Sequence, residues 1–370
     1  MKKAFLTFEA EYQELLDFLS SVESEDNLLQ FILAESDGEK SPLVTNAQTI
    51  VRSSTNRRRF VHCQAVIVLY GAFERFVEDA IREYVVEARK LCTAYEQLPK
   101  AIREKHSELS IEYLYRLKDG KINVVENEEL NSAISRLSSS IQAKPDFLLN
   151  DRAFALRSAN VKVERIKNLL SNIGISLSLT ALLRMPSYRA GYKELYSNEP
   201  EQGDEAAKRN FSKVDDLVTM RNQIAHGVVD LDNIEDVDLL RERAVDLRNF
   251  VIAVSDLMEM QFVGYCCQEH ISTLLPEPIA VYNNEIVCID FPAGKLSTGD
   301  IVVHPISDKD IRFGSIQSMQ VNNVDVQSVK GQPNTSLGFK IGFHALDRGG
   351  YRLLSRNVRG LLRNSVFQIV

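Results

Sequence analysis

The stretch Asp216-Leu217-Val218-Thr219-Met220-Arg221-Asn222-Gln223-Ile224-Ala225-His226-Gly227 decides how the chain is read. On a helical wheel at about 100° per residue, Val214, Leu217, Val218, Met220, Ile224 and Ala225 share one apolar arc. That is the core-facing side of an amphipathic helix. Arg221 falls inside the arc, where a guanidinium without a partner is costly. It needs an anion: a carboxylate on a neighbouring helix, or a phosphate in a cleft. Asn222 and His226, four residues apart, lie together on a flank away from the core. Gly227 reads as the helix C-cap, so His226 sits where the helix macrodipole favours a cationic ring. An imidazole there suits proton transfer near neutral pH. Spacing alone leaves two readings open. Arg221 is a core ion-pair partner with a surface histidine nearby, or the pair handles a phosphate and a proton.

Working outward, a polar loop over residues 197–204 precedes this helix, which is expected to begin near Phe211. Upstream, a long helix is expected over residues 56–98. Its stripe is Val66, Leu69, Tyr70, Phe73, Phe76, Val77, Ala80, Ile81 and Tyr84, and Pro99 ends it. Shorter helices follow at 102–117, 127–141 and 158–170, the last stopped by Gly174. The first 50 residues read as one or two short helices ending in a loop at 36–42. Downstream, a helix over 235–268 places Leu240, Leu247, Val254 and Gln261 seven apart. Ala244, Val251, Met258 and Tyr265 have the same spacing. This is either a core-facing bundle helix or a dimerisation seam.

The pattern changes at Leu275-Pro276-Glu277-Pro278. Beyond it, short β-rich runs alternate with Gly, Asn, Asp and Pro, at 279–282, 285–290, 300–304, 311–321, 337–343 and 351–354. The expected division is an N-terminal helical extension (1–50), a helical domain (51–275) and a small all-β barrel (276–370).

Composition narrows the function classes. The 370 residues carry a net charge of −7, against a protein that coats nucleic acid over its whole surface. The charge is uneven: residues 276–370 hold 10 Lys+Arg and 8 Asp+Glu, the remainder 34 and 43. Five scattered cysteines show no CxxC or Cys/His spacing, so neither a metal nor another cofactor is expected. No signal peptide is read at the start, and no run is read as reaching the roughly 20 apolar residues of a membrane span. The expected setting is the cytoplasm.

The string from Asp216 to Gly227 closely resembles the HEPN signature, an Arg-polar-x3-His motif followed by Gly. Leu69-Tyr70-Gly71-Ala72-Phe73-Glu74-Arg75-Phe76 resembles the first core helix of one bacterial branch, RiboL-PSP-HEPN or MAE-type, and residues 160–175 resemble its middle region. The resemblance covers roughly residues 56–270. It implies a helical bundle that dimerises, placing two motifs across one cleft. It also implies a metal-independent endoribonuclease of toxin–antitoxin, abortive-infection or anti-phage systems. Arg221, Asn222 and His226 carry over as site residues, with Glu74 reaching across to hold Arg221. Attack of an RNA 2′-OH on its own phosphorus would leave a 2′,3′-cyclic phosphate. The alternative is a catalytically silent binding or sensor subunit of a defence complex. Partners expected are RNA (tRNA or rRNA), a second copy, and an antitoxin or defence protein, with no membrane.

In the C-terminal part, Gly294-Lys295-Leu296-Ser297-Thr298-Gly299-Asp300 and Gly314-Ser315-Ile316-Gln317-Ser318-Met319 resemble the barrel forming the second domain of elongation factor Tu. Arg348, Arg352, Arg356, Arg359 and Arg363, with Asp347 the acidic residue nearby, are a candidate basic face for RNA. The other reading is a solvated surface. On the first, the barrel would choose substrate while the bundle cuts.

Overall fold

Fifteen buried side chains recur at helical spacing along residues 54–90, from Val61 to Ala88, and they make this segment the axis of the molecule. The computed structural model describes residues 1–35, 41–120, 130–156, 160–229, 234–268, 271–307, 310–333, 335–348, 350–363 and 366–367. The helices are α1 (Lys2–Ala34), α2 (Pro42–Arg52), α3 (Ser54–Lys90), α4 (Lys100–Lys118), α5 (Leu130–Ile141), α6 (Asp151–Phe154), α7 (Val163–Asn172), α8 (Leu179–Leu183), α9 (Pro186–Tyr196), α10 (Asp204–Ala225) and α11 (Val237–Cys266). Helix α3 packs against α1, α10 and α11. Phe73 meets Phe250 of α11 and Phe76 meets Phe8 of α1, both rings tilted or edge-on. Each such buried ring contributes roughly 2–3 kcal/mol relative to exposure.

Three expectations need correction, and one open reading, that of the α11 heptads, closes on the core-facing helix. The N-terminal segment is not one or two short helices: α1 runs for 33 residues. Its Phe5, Phe8, Tyr12, Leu15 and Leu19 enter the main core, so residues 1–50 are no separate extension. The heptad series on α11 is not a dimer seam. Leu240, Ala244, Leu247, Val251, Val254, Met258 and Tyr265 are all buried within one chain. The series was read as a stripe, but most of the helix beyond Asn249 is enclosed on every side. Helix α10 begins at Asp204 rather than near Phe211, its acidic first turn (Asp204, Glu205) complementing the helix dipole. Finally, α3 is long and apolar enough to cross a membrane by length and composition. Half of that window is buried by neighbouring helices, as a central bundle helix requires.

The C-terminal region is an antiparallel β domain. Its strands are β1 (Ser272–Leu274), β2 (Pro278–Tyr282), β3 (Ile286–Asp290), β4 (Lys295–Ser297), β5 (Ile301–Ser307), β6 (Asp310–Val321), β7 (Val324–Asp325), β8 (Ser328–Lys330), β9 (Ser336–Ile341), β10 (Arg352–Leu354) and β11 (Val366–Phe367), with a short helix α12 (Arg356–Arg359). The ladder runs β1-β10-β5-β6-β9-β3-β2, with β7 and β11 also paired to β6 and a separate β4-β8 pair. Alternation along β9 turns Leu337, Phe339 and Ile341 into a core with Val287, Ile289 and Val302. The 12-residue β6 bends at a register shift between Ile316 and Ser318.

The two parts share apolar contacts. Ile301, Val303, Ile311 and Phe313 join the main helical core, as do Leu354, Val358 and Leu362. Gly264 lets β6 close onto α11, since a Cβ there would lie 2.6 Å from Ile311 Cδ1. Arg363 anchors the joint. It pairs with Asp256 and Glu259 of α11, which are 2% exposed, and stacks over Phe5 at 4.3 Å. Its backbone N–H also donates to Glu259 Oε1 (2.5 Å).

Candidate ribonuclease site at the end of helix α10

Local backbone geometry fixes the position of His226. Helix α10 ends at Ala225 and His226 is its C-cap. Gly227 follows with φ +72°, the left-handed conformation that a side chain would strain. The Gly227 N–H donates to Ile224 O (3.0 Å) and the Val228 N–H to Gln223 O (2.8 Å). These two bonds form a Schellman cap. The cap leaves the His226 side chain exposed at the helix terminus, and among the described residues it has no hydrogen-bond partner.

Arg221 sits one turn earlier and is half-buried. Among the described residues no carboxylate lies within ion-pair distance of it. Nη1 donates to Asn222 Oδ1 (3.1 Å), and the guanidinium lies 5.1 Å from the centroid of the Tyr70 ring. A π face balances a cation without neutralising it. The expected Glu74–Arg221 pairing is therefore not formed. Instead the two meet at Tyr70, whose O–H donates to Glu74 Oε1 (3.1 Å). Tyr70 is 2% exposed, and burial first, then Glu74, pushes its phenol above its ordinary range.

Tyr70 also accepts a hydrogen bond from the Val161 N–H (3.2 Å). Two residues on, the Val163 N–H donates to Asp215 Oδ1 of α10 (2.8 Å). The segment entering α7 is thus pinned to both helices that build the site. Sequence reasoning placed Tyr70 only in the apolar stripe. The available signal was its hydroxyl, which must find partners when buried.

The chain is matched over residues 20–260 by the family model described as RiboL-PSP-HEPN. It belongs to the RiboL-PSP-HEPN family. The match spans the bundle from within α1 to near the end of α11 and stops short of the β domain. Searches of curated proteins and of solved structures return no match. In this HEPN domain Arg221, Asn222 and His226 lie on the last turns of one core helix, and Tyr70 stands between Glu74 and Arg221.

Of the five C-terminal arginines, Arg348 and Arg359 are exposed, but Arg363 does not join an open face. Arg363 is enclosed against α11, and burial lowers its pKa to about 10. Arg352 donates from Nε to Ser272 Oγ (2.8 Å), tying β10 to β1. Arg359 covers Gly299, whose added Cβ would lie 2.7 Å from Nη2. Arg348 is exposed, and the Arg356 side chain lies outside the described residues. Their spacing in sequence suggested a surface. The turn at α12 instead sends Arg363 inward.

Proposed function

We propose that the protein is an endoribonuclease that cuts RNA by attack of a 2′-OH on the adjacent phosphorus. The observation that carries this reading is Arg221: a half-buried guanidinium with no described carboxylate, held by the Tyr70 ring and Asn222. An arginine kept for structure is normally neutralised, as Arg363 is. One left charged beside an exposed, capped histidine suits a phosphate. Arg221 would bind the phosphate and stabilise the charge growing on it. His226 would move a proton to or from an oxygen, with Asn222 keeping the Arg221 plane in place. Glu74 would act on Arg221 through Tyr70.

Within one chain Arg221 and His226 lie about 140° apart around the helix. That separation favours a homodimer in which two motifs face one cleft. It is also what a second reading would use: a binding or sensor subunit that engages RNA without cutting. We place the protein among cytoplasmic toxins or defence effectors, acting on tRNA or rRNA and held by an antitoxin or defence partner. The elongation-factor-like reading of the β domain would give that domain the choice of substrate.

The test is total RNA incubated with purified protein in EDTA, comparing wild type with an Arg221→Ala/His226→Ala double variant. Cleavage by the wild type alone, leaving 2′,3′-cyclic phosphate ends, is the expected result. Equal cleavage by both would move the chemistry elsewhere in the chain. Binding without cleavage by either would favour the silent subunit.

A further inference from the structure

We infer that Lys162 is a second phosphate-binding cation of this site, so that the cleft holds an RNA strand across adjacent phosphates rather than one phosphate group. The inference rests on the ribonuclease reading and extends it. Lys162 lies between the two residues pinned to the site: Val161 bonds Tyr70 of α3 and Val163 bonds Asp215 of α10. Its backbone is extended (φ −81°, ψ 164°), so the side chains of Val161 and Val163 turn inward, both buried, and that of Lys162 turns out to solvent. Among the described residues the ammonium has no partner. Nearby Lys167 is different: it pairs with Glu164 at 3.3 Å.

The surrounding segment supports a polyanion. Residues 130–184 hold 8 Lys+Arg and 3 Asp+Glu, a net of +5 in a chain whose total is −7. Between α4 and α9, α6 and α7 pack on α3, and α7 and α8 on α10. Lys162 is thus the outward cation of a segment anchored to the two helices that present Tyr70 and Arg221. A chain of phosphates passing over Arg221 would next meet the segment that the Tyr70 hydroxyl holds, where Lys162 is the outward cation.

The experiment uses the full-length His226→Ala protein in EDTA, so that substrate survives, and a fluorescein-labelled single-stranded RNA. Binding is followed by anisotropy at increasing KCl. Adding Lys162→Gln should reduce the slope of log affinity against log salt by about 0.7, the value of one single-strand phosphate contact. Lys162→Arg should restore the slope, and Lys167→Gln should leave it at the parent value. A parent slope retained by Lys162→Gln overturns the assignment of Lys162 alone. Absence of RNA binding by the parent overturns the ribonuclease reading and this inference with it.

Discussion

Arg221 and Arg363 both occupy partly enclosed ground, and the protein treats them in opposite ways. Arg363, at the joint between bundle and β domain, meets two carboxylates of α11 and is nearly sealed. Arg221, at the end of α10, meets an aromatic face and an amide oxygen. The first arrangement cancels charge and binds two domains together. The second preserves charge and leaves donor N–H groups for something that arrives later. The chemistry of the neighbours separates these cases.

The comparison can be broken at the joint first. Arg363→Ala removes the guanidinium that pairs with the enclosed Asp256 and Glu259, so unfolding stability should drop by about 3–5 kcal/mol. Urea unfolding measures this, and a loss below about 1 kcal/mol would show that the joint does not depend on the pair. Arg221→Ala should behave in the reverse manner. Its stability change should stay within about 1 kcal/mol, while cleavage of RNA falls by about 100-fold or more. A large stability loss there would make Arg221 a second structural arginine.

Acid probes the bundle behind the site without acting on either arginine. His106 is fully buried. Its Nε2 accepts from the Asn150 N–H (3.0 Å), and Nδ1 lies 3.1 Å from Ser140 Oγ. Burial lowers its pKa to about 4 from an ordinary 6.5. Between those values the unfolded chain holds a proton that the folded chain refuses, so stability is full above pH 6.5 and is lost as pH falls toward 4. Roughly 2 kcal/mol should be gone at pH 5. Urea midpoints at pH 7 and pH 5 test it, and His106→Gln should flatten the difference. His62, whose pKa burial also lowers, acts in the same direction.

The smallest effect is expected at the cap. Gly227→Ala strains a residue at φ +72° in otherwise open space, costing about 1 kcal/mol. Because this cap orients His226, cleavage should fall further than that stability loss explains. Equal, small losses in both would detach the cap from the chemistry.

Much of this was legible in the sequence where one periodicity reported one environment. The stripe of α3 from Val66 to Tyr84 and strands such as β3 and β9 follow their apolar spacing directly, while on α10 the arc holds at Val214, Leu217 and Val218 but Ala225 is exposed. The spacing failed where a helix is enclosed all round. On α11 a heptad series is only a subset of the buried positions, so it imitated a seam. Helix α9 was not read at all, because its packing face is built largely from tyrosines. Tyr188 contacts Phe211, and Tyr192 stacks between Tyr188 and Tyr196. In the site, Arg221, Asn222 and His226 were visible because they share one turn-spaced string. Tyr70 was not, because its place in the site comes from contacts distant in sequence, its hydrogen bond from the Val161 N–H spanning 91 residues. The arginines of the C-terminal stretch misled for a related reason: sequence clustering carries no information on which way a turn points each side chain.

The joint also sets an order of events during synthesis. Asp256 leaves the ribosome 107 residues before Arg363. At ordinary elongation rates the wait is about 5–20 s. Throughout it, α11 carries two carboxylates destined for an enclosed position, with the guanidinium they will pair with not yet made. A chain wired this way can close its joint only once synthesis has passed Arg363.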